Sequence, residues 1–181
     1  MKNKYYVNNE IPADEVITFR KRYGMTQAEF AEFMGCSKPT VERMESKGKI
    51  TGGPAAVLIN MLMQHPEYME EICIGPKQSA MRLWYMHKSK LCTLIDVDER
   101  NQSVIVRNFV DNIMFRAFGA AKEVTYQMYE EFLESRCFPK SRDKMKLVLS
   151  ELDIPFYDPL MIIEKTEGRM AEDDFWIRIE R

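Results

Sequence analysis

The sequence predicts a mainly α protein with a small antiparallel sheet: an N-terminal all-α helix-turn-helix domain over residues 1–75 and a C-terminal α+β domain over 80–181. Three observations carry that prediction. Apolar residues recur at helical spacing through the first part, and β-prone runs separated by polar turns open the second. Between them, Ile74-Gly75-Pro76-Lys77-Gln78-Ser79 marks a change in texture. No internal repeat or low-complexity tract joins the two parts.

In the first part, Pro12 to Tyr23 carries Val16, Phe19 and Tyr23 on one helical face and stops at Gly24. Thr26-Gln27-Ala28-Glu29 has the form of a capping box, and a short helix runs from it to Met34. Gly35-Cys36 forms a tight turn and Ser37 is the expected N-cap of the next helix. That helix shows a narrow apolar stripe, Val41 and Met44, and ends at Lys47-Gly48. Pro54 opens a further apolar helix with Val57, Leu58, Met61 and Leu62. Two short helices joined by a Gly-containing turn, with small Ala31 in the first and Val41 in the second, describe a helix-turn-helix.

At these residues the chain resembles the phage-repressor, XRE-type family: Arg20-x-x-x-Gly24-x-Thr26-Gln27-x-x-x-Ala31-x-x-x-Gly35-x-Ser37-x-x-Thr40-Val41-x-x-x-Glu45. The continuation, Gly52-Gly53-Pro54-Ala55 into Leu58-Ile59-Asn60-Met61-Leu62 and His65-Pro66-Glu67, is similar to the DNA-binding half of MqsA-type antitoxins over about residues 11–72. No paired CxxC zinc module precedes it, so that family's toxin-binding half is not carried over. The resemblance implies a sequence-specific regulator that recognises double-stranded DNA.

With Val41 and Met44 set against the core, the opposite face of the second helix presents Pro39, Glu42, Arg43 and Ser46, with Lys38 at its N-terminal edge. These five are the expected base-contacting residues. Arg43 has the fork for guanine O6/N7, and Glu42 can accept from cytosine N4. Gln27, Ser37, Thr40, Lys47 and Lys49 are placed to meet phosphates, which position a domain without reading sequence. Residues 20–53 hold 7 basic and 4 acidic side chains, a local surplus on a chain with formal charge −2. A bulk polycation is excluded; a local basic face is not. The modest surplus and the motif's geometry lead us to expect a homodimer on an inverted-repeat operator.

The second part opens with three β-prone runs, 81–85, 91–97 and 103–107, which form a meander. Helices are expected over 111–118, 125–136, 141–152 and 159–166, with Thr125 and Ser141 as caps. Phe175-Trp176-Ile177-Arg178-Ile179 alternates as a last strand or an extended segment. Residues 136–146 place five basic residues and one acid around a helix N-terminus, where the macrodipole favours the opposite sign. Arg136, Lys140 and Arg142 are therefore a candidate site for an anion or an acidic partner, the alternative being an internal salt bridge at Arg136. From Glu134 onward, Glu134-Ser135-Arg136-x-x-Pro139-x-x-Arg142, Tyr157-Asp158-Pro159-Leu160, Thr166-x-Gly168 and Asp173-Asp174-Phe175-Trp176-Ile177 resemble segments associated with HipA-type kinases. No phosphate loop or catalytic Asp-bearing loop accompanies them, and no kinase activity is implied.

No catalytic constellation emerges. His65 and His87 lack companions at nucleophile spacing, and Glu172-Asp173-Asp174 reads as a solvated turn or an Asp cap. Cys36, Cys73, Cys92 and Cys137 are single and widely spaced, so we expect buried thiols and neither a disulfide framework nor a metal site. We expect no cofactor. No apolar run approaches the ~18 residues of a membrane helix and no signal peptide is evident, so the expected location is cytoplasmic. The expectation is a non-enzymatic regulator, an autoregulating repressor of a toxin-antitoxin-like or mobile-element operon, whose residues 80–181 engage a protein partner or mediate assembly. The alternatives are an enzyme or anionic-ligand sensor built on Arg136 and Arg142, and an interaction module whose helix-turn-helix does not bind DNA.

Overall fold

The computed structural model describes residues 4–181 and is a mixed α+β protein, with eight α-helices and two small antiparallel sheets among the described residues. The chain divides into two compact units between Cys73 and Ile74. No helix among the described residues is long and apolar enough to cross a membrane.

The first unit runs β1 (Glu10–Pro12), α1 (Ala13–Arg22), α2 (Gln27–Phe33), α3 (Lys38–Met44), β2 (Ile50–Gly52), α4 (Pro54–Gln64) and α5 (Glu67–Ile72). Its core is Ile11, Val16, Phe19, Phe30, Val41, Ile59 and neighbours, with the Phe19 and Phe30 rings 6.0 Å apart. Helices α1 to α3 thus bury the apolar faces that their spacing prescribes, whereas α4 buries Ala56, Ile59 and Leu62 and leaves Leu58 and Met61 of its expected stripe exposed. To them the structure adds a ribbon outside the all-α expectation, in which Ile11 pairs with Thr51. Three-residue strands are too short to show an alternating pattern. The ribbon is held instead by the Asn60 amide, which donates to the carbonyls of Asn8 and Glu10.

The second unit contains β3 (Met81–His87), β4 (Lys90–Asp98), β5 (Ser103–Asn108), α6 (Tyr126–Ser135), α7 (Met145–Glu151), α8 (Pro159–Thr166) and β6 (Phe175–Glu180). The strand order is β5-β4-β3-β6, all neighbours antiparallel, so the expected meander gains β6 as a fourth strand beside β3. Tyr129, Phe132 and Leu133 of α6, Leu149 of α7 and Ile162 and Ile163 of α8 share a core with Leu83, Tyr85, Ile95, Val97 and Ile177 of the sheet.

On the alternate strand positions, Arg82 and Asp96 are directly opposed and form a buried two-pronged ion pair of 2.6 and 2.7 Å. Arg82 spends its remaining donors on the carbonyls of Gly75 and Pro76, while the Gln78 amide donates to Asp96. Residues 75–78 are therefore fastened to the sheet. Burial is the largest influence on Asp96 and opposes its charge, but Arg82 and the Gln78 amide together hold its carboxyl below the usual range.

Two expected helices depart from their boundaries. Over 111–118 only a single 3-10 turn forms, Ile113–Phe115, because Phe115, Ala117 and Phe118 all pack on the core and the Ala117 amide is taken by the Thr93 hydroxyl. The helix expected from Ser141 starts at Met145 instead, after Lys144 in the left-handed region. Lys140, Arg142 and Lys144 would have crowded positive charge onto its positive end, so the chain turns there and the helix begins beyond them. Of the cysteines, only Cys92 and Cys137 are buried; Cys36 is half-buried and Cys73 exposed, and none is bridged. Burial pushes the Cys137 thiol up to about 12, which makes it inert.

Both tryptophans, Trp84 and Trp176, lie in the second unit, so their fluorescence reports that unit alone. Arg82→Ala leaves Asp96 charged in a buried site and should cost about 3–5 kcal/mol. The apolar double variant Arg82→Met/Asp96→Leu should recover most of that loss. Urea denaturation followed by tryptophan emission checks both.

Candidate nucleic-acid interface

The α2–α3 arrangement is assembled from local signals that the structure satisfies in turn. Thr26 and Glu29 close a reciprocal capping box: the Glu29 amide donates to the Thr26 hydroxyl at 3.2 Å and the Thr26 amide to the Glu29 carboxylate at 2.7 Å. Those bonds, the Thr26 backbone first, hold the Glu29 carboxyl below its ordinary range. At the other end of α2, Gly35 has φ +62° and the Cys36 amide bonds back to Ala31 at 2.9 Å, a Schellman-type stop. A side chain at Gly35 would meet no steric obstacle but would strain the backbone. Ser37 begins α3 without a side-chain cap; its hydroxyl shares a 3.0 Å bond with Thr40 instead.

A half-buried ion pair sets where α3 lies. Arg20 on α1 donates through Nε to Glu45, the residue that follows α3, at 2.5 Å, and through Nη2 to its second oxygen at 3.1 Å. Its Nη1 reaches the Met25 carbonyl at 2.8 Å, and the Gln27 amide at the start of α2 donates to the same Glu45 carboxylate at 2.8 Å. Three helices are thereby tied through one carboxylate. The Arg20 hydrogen bond, with help from Gln27, holds the Glu45 carboxyl low against the opposing effect of burial.

With Val41 fully buried and Met44 half-buried, α3 and its exit turn expose Lys38, Pro39, Glu42, Arg43 and Ser46. The Arg43 side chain makes no hydrogen bond or ion pair among the described residues, so its five donors are open to a ligand. Lys38 and Glu42 form a loose exposed pair at 3.7 Å, which costs little to break. The Ser46 hydroxyl is occupied by the Glu42 carbonyl. Lys47 and Lys49 are exposed beyond the helix. Gln27, expected at a phosphate, has its amide turned to Glu45 and serves the clamp. Spacing alone could not reveal that use, although Arg20 and Glu45 both stand among the motif's landmarks.

The candidate anion site in the second unit is corrected by the structure. Arg136 is buried, and its guanidinium is consumed internally: Asp173 accepts at 2.6 and 3.0 Å, the Gly168 carbonyl at 2.7 and 3.0 Å, and the Phe175 carbonyl at 3.1 Å. Only one Nη1 hydrogen is without a described acceptor, and the guanidinium that carries it is buried, so Arg136 offers no open fork to an external anion. Lys140 is paired with Glu134 at 2.5 Å, and Arg142 lies 5.7 Å from the Phe138 ring. The three residues do not converge on one ligand. Asp173, expected in a solvated turn, is the missed partner, and the Arg136 bond holds its carboxyl low. Gly168 beside it has φ +57°, where a side chain would strain the backbone, and a Cβ there would sit tightly, 3.3–3.4 Å from Ile177 and Arg136. Among the described residues no group of three or more His, Cys, Asp or Glu is arranged to hold a metal.

The first unit thus contains a helix-turn-helix with an exposed, partly cationic second helix. Over 62 residues, 34% of its length, the chain is 29% identical to antitoxin HigA-2 of Vibrio cholerae serotype O1 (strain ATCC 39315 / El Tor Inaba N16961). The match spans 60% of that antitoxin's length. No family model matches the chain.

The depressed Glu45 carboxyl fixes the sign of an acid effect. Its contribution to stability is whole above the ordinary carboxyl range, about pH 4, and disappears as the pH falls through its lower folded value. Glu45→Gln should remove that part of the acid dependence and lower neutral stability by about 1–3 kcal/mol. Far-ultraviolet circular dichroism melts between pH 3 and 7 check this.

Proposed function

We propose that the protein is a sequence-specific DNA-binding transcriptional regulator, and that it represses its own promoter within a toxin-antitoxin-like operon. The observation that carries the proposal is the outward face of α3, where Arg43 stands unpaired beside Lys38, Pro39, Glu42 and Ser46 while Val41 is buried beneath. An exposed helix behind a rigid turn is what the major groove admits. Similarity to an antitoxin supports the operon context. It bears on toxin-antitoxin helix-turn-helix proteins in general, and the narrower MqsA-type likeness is a proposal from the residues of the first unit.

In this proposal Arg43 reads a guanine and Glu42 a cytosine, while Lys38, Pro39 and Ser46 line the same groove. Ser37, Thr40, Lys47 and Lys49 meet phosphates. Gln27 contributes by bracing Glu45, and through it the start of α3. The protein works as a cytoplasmic homodimer on an inverted repeat, without catalysis, and its residues 80–181 serve a protein partner. A sensor or enzyme built on Arg136 loses its support because that guanidinium is buried and committed to Asp173, Gly168 and Phe175 inside the fold.

Fluorescence anisotropy of the full chain on DNA tiled across its own promoter tests the proposal. One tile should bind tightly, with affinity falling as salt rises. Arg43→Glu should weaken that tile by roughly a hundredfold or more, losing a base contact worth about 1–3 kcal/mol and adding repulsion, with the thermal melt unchanged. Equal, weak binding to every tile would overturn sequence-specific recognition, and an unaffected Arg43→Glu variant would overturn the assigned face.

A further inference from the structure

A cleft of about 460 Å³ opens in the second unit between one face of α6, the β4–β5 turn and the start of α8. Its charges all have one sign. Glu99, Glu130, Glu131, Glu134 and Asp158 line it, and no lysine, arginine or histidine does. Part of that charge is already used: Lys140 engages Glu134, the Gln127 amide bonds Glu131, and Asp158 caps α8 through the Met161 amide. Glu99 and Glu130 make no hydrogen bond or ion pair among the described residues. Such a cluster alone is commonplace on a protein surface.

The second observation is Tyr129, which also lines the cleft. It is 2% exposed, yet its hydroxyl has no hydrogen-bond partner. Burial is the largest influence on the hydroxyl, and the ionisable groups that act on it through charge, Tyr126, Glu99, Asp158 and Glu130, all belong to the cleft lining. An orphaned buried hydroxyl is costly, and an N–H donor entering from the cleft would satisfy its oxygen as an acceptor. Its oxygen is an acceptor beside carboxylates, so the group it suits is a cation bearing N–H donors. Tyr126 supplies an aromatic face, and Pro159 and Leu160 an apolar wall against which a methylene stem can lie.

The shape bears on how that cation is carried. From Tyr126 to Glu134, α6 rises about 12 Å, longer than one small amine and equal to three or four residues of extended chain. Glu130 and Glu134, four residues apart, are spaced about 6 Å along the helix, close to the spacing of alternate side chains in an extended strand, and the exposed Lys140–Glu134 pair is cheap for a second guanidinium to displace. We propose that this cleft binds an extended basic segment of a protein partner, of Arg-x-Arg type, with one guanidinium reaching the Tyr129 hydroxyl between Glu130 and Glu99. This assignment stands apart from DNA recognition, because every residue in it belongs to the second unit.

Isothermal titration of the full chain at low ionic strength tests it, using acetyl-Gly-Arg-Gly-Arg-Gly-amide, its citrulline counterpart and free agmatine as probes. The arginine peptide should saturate below about 10 mM and bind roughly tenfold or more tightly than either control. Glu99→Gln/Glu130→Gln should weaken it by at least about tenfold. Tyr129→Phe should also weaken it while leaving the tryptophan-monitored stability equal or higher, which separates loss of a ligand contact from loss of fold. No binding, equal binding of the citrulline peptide, or indifference to the carboxamide and Phe variants would overturn the site. Equal affinity for agmatine would overturn the protein-segment occupant. Failure of promoter binding would leave each of these results readable, since none uses DNA.

Discussion

The half-buried pair between Arg20 and Glu45 is the constraint on which the first unit's exposed helix depends. A seven-residue helix such as α3 is too short to hold itself in water, and one fully buried side chain, Val41, is a narrow anchor. The Glu45 carboxylate compensates by collecting donors from α1 and from the start of α2 while itself following α3. A rotation of α3 that carried Arg43 toward the core would pull Glu45 off all of them together. The same atoms explain why Gln27 is turned inward.

The second unit uses the same device twice, and each pair joins parts of the chain that the hydrophobic core leaves loosely specified. Arg82 and Asp96 tie the entry segment 75–78 to the sheet, and Arg136 with Asp173 secures the approach to β6. Buried pairs of this kind add little net stability over well-packed apolar residues, because desolvation offsets the attraction. Their value lies in geometry. Apolar contacts tolerate sliding by a residue or two, whereas a guanidinium with five directed donors accepts one arrangement. Gly168 shows how tight that arrangement is, since its carbonyl takes two of the Arg136 bonds while its backbone lies in the left-handed region and its α-carbon packs closely on Ile177 and Arg136.

What was legible in the sequence followed from local rules. The capping box at Thr26, the glycine stop at Gly35, the stripe of Val41 and Met44 and the span of α8 after Asp158 each depend on residues a few positions apart, and the structure contains all four. The exposure of Lys38, Pro39, Glu42, Arg43 and Ser46 follows from the same periodicity. What stayed hidden depends on distant partners. The charges around Arg136 left an external anion and an internal salt bridge both open, and the partner could not be named because Asp173 lies 37 positions away; Gln27 looked available because Glu45 lies 18 away. The β1–β2 ribbon has too few residues to show a period, and over 111–118 tertiary packing overrode helical spacing. The acidic cleft draws on a β-turn and two helices, and the orphaned Tyr129 hydroxyl has no counterpart in a string of letters.

The placement of β6 has a consequence for how the protein is born. Its partner strand β3 is made early, but Arg82 meets Glu180 and His87 meets Phe175 only after some ninety intervening residues have left the ribosome. The first unit closes its own ribbon by residue 52 and needs nothing from that later stretch. During synthesis, therefore, the N-terminal unit can finish folding while the sheet of the second still lacks an edge, with the β3 flank open to stray pairing. A nascent chain stalled in that interval would present the helix-turn-helix complete and the acidic cleft's unit unfinished. The order in which the two units mature is thus written into strand order rather than into any signal.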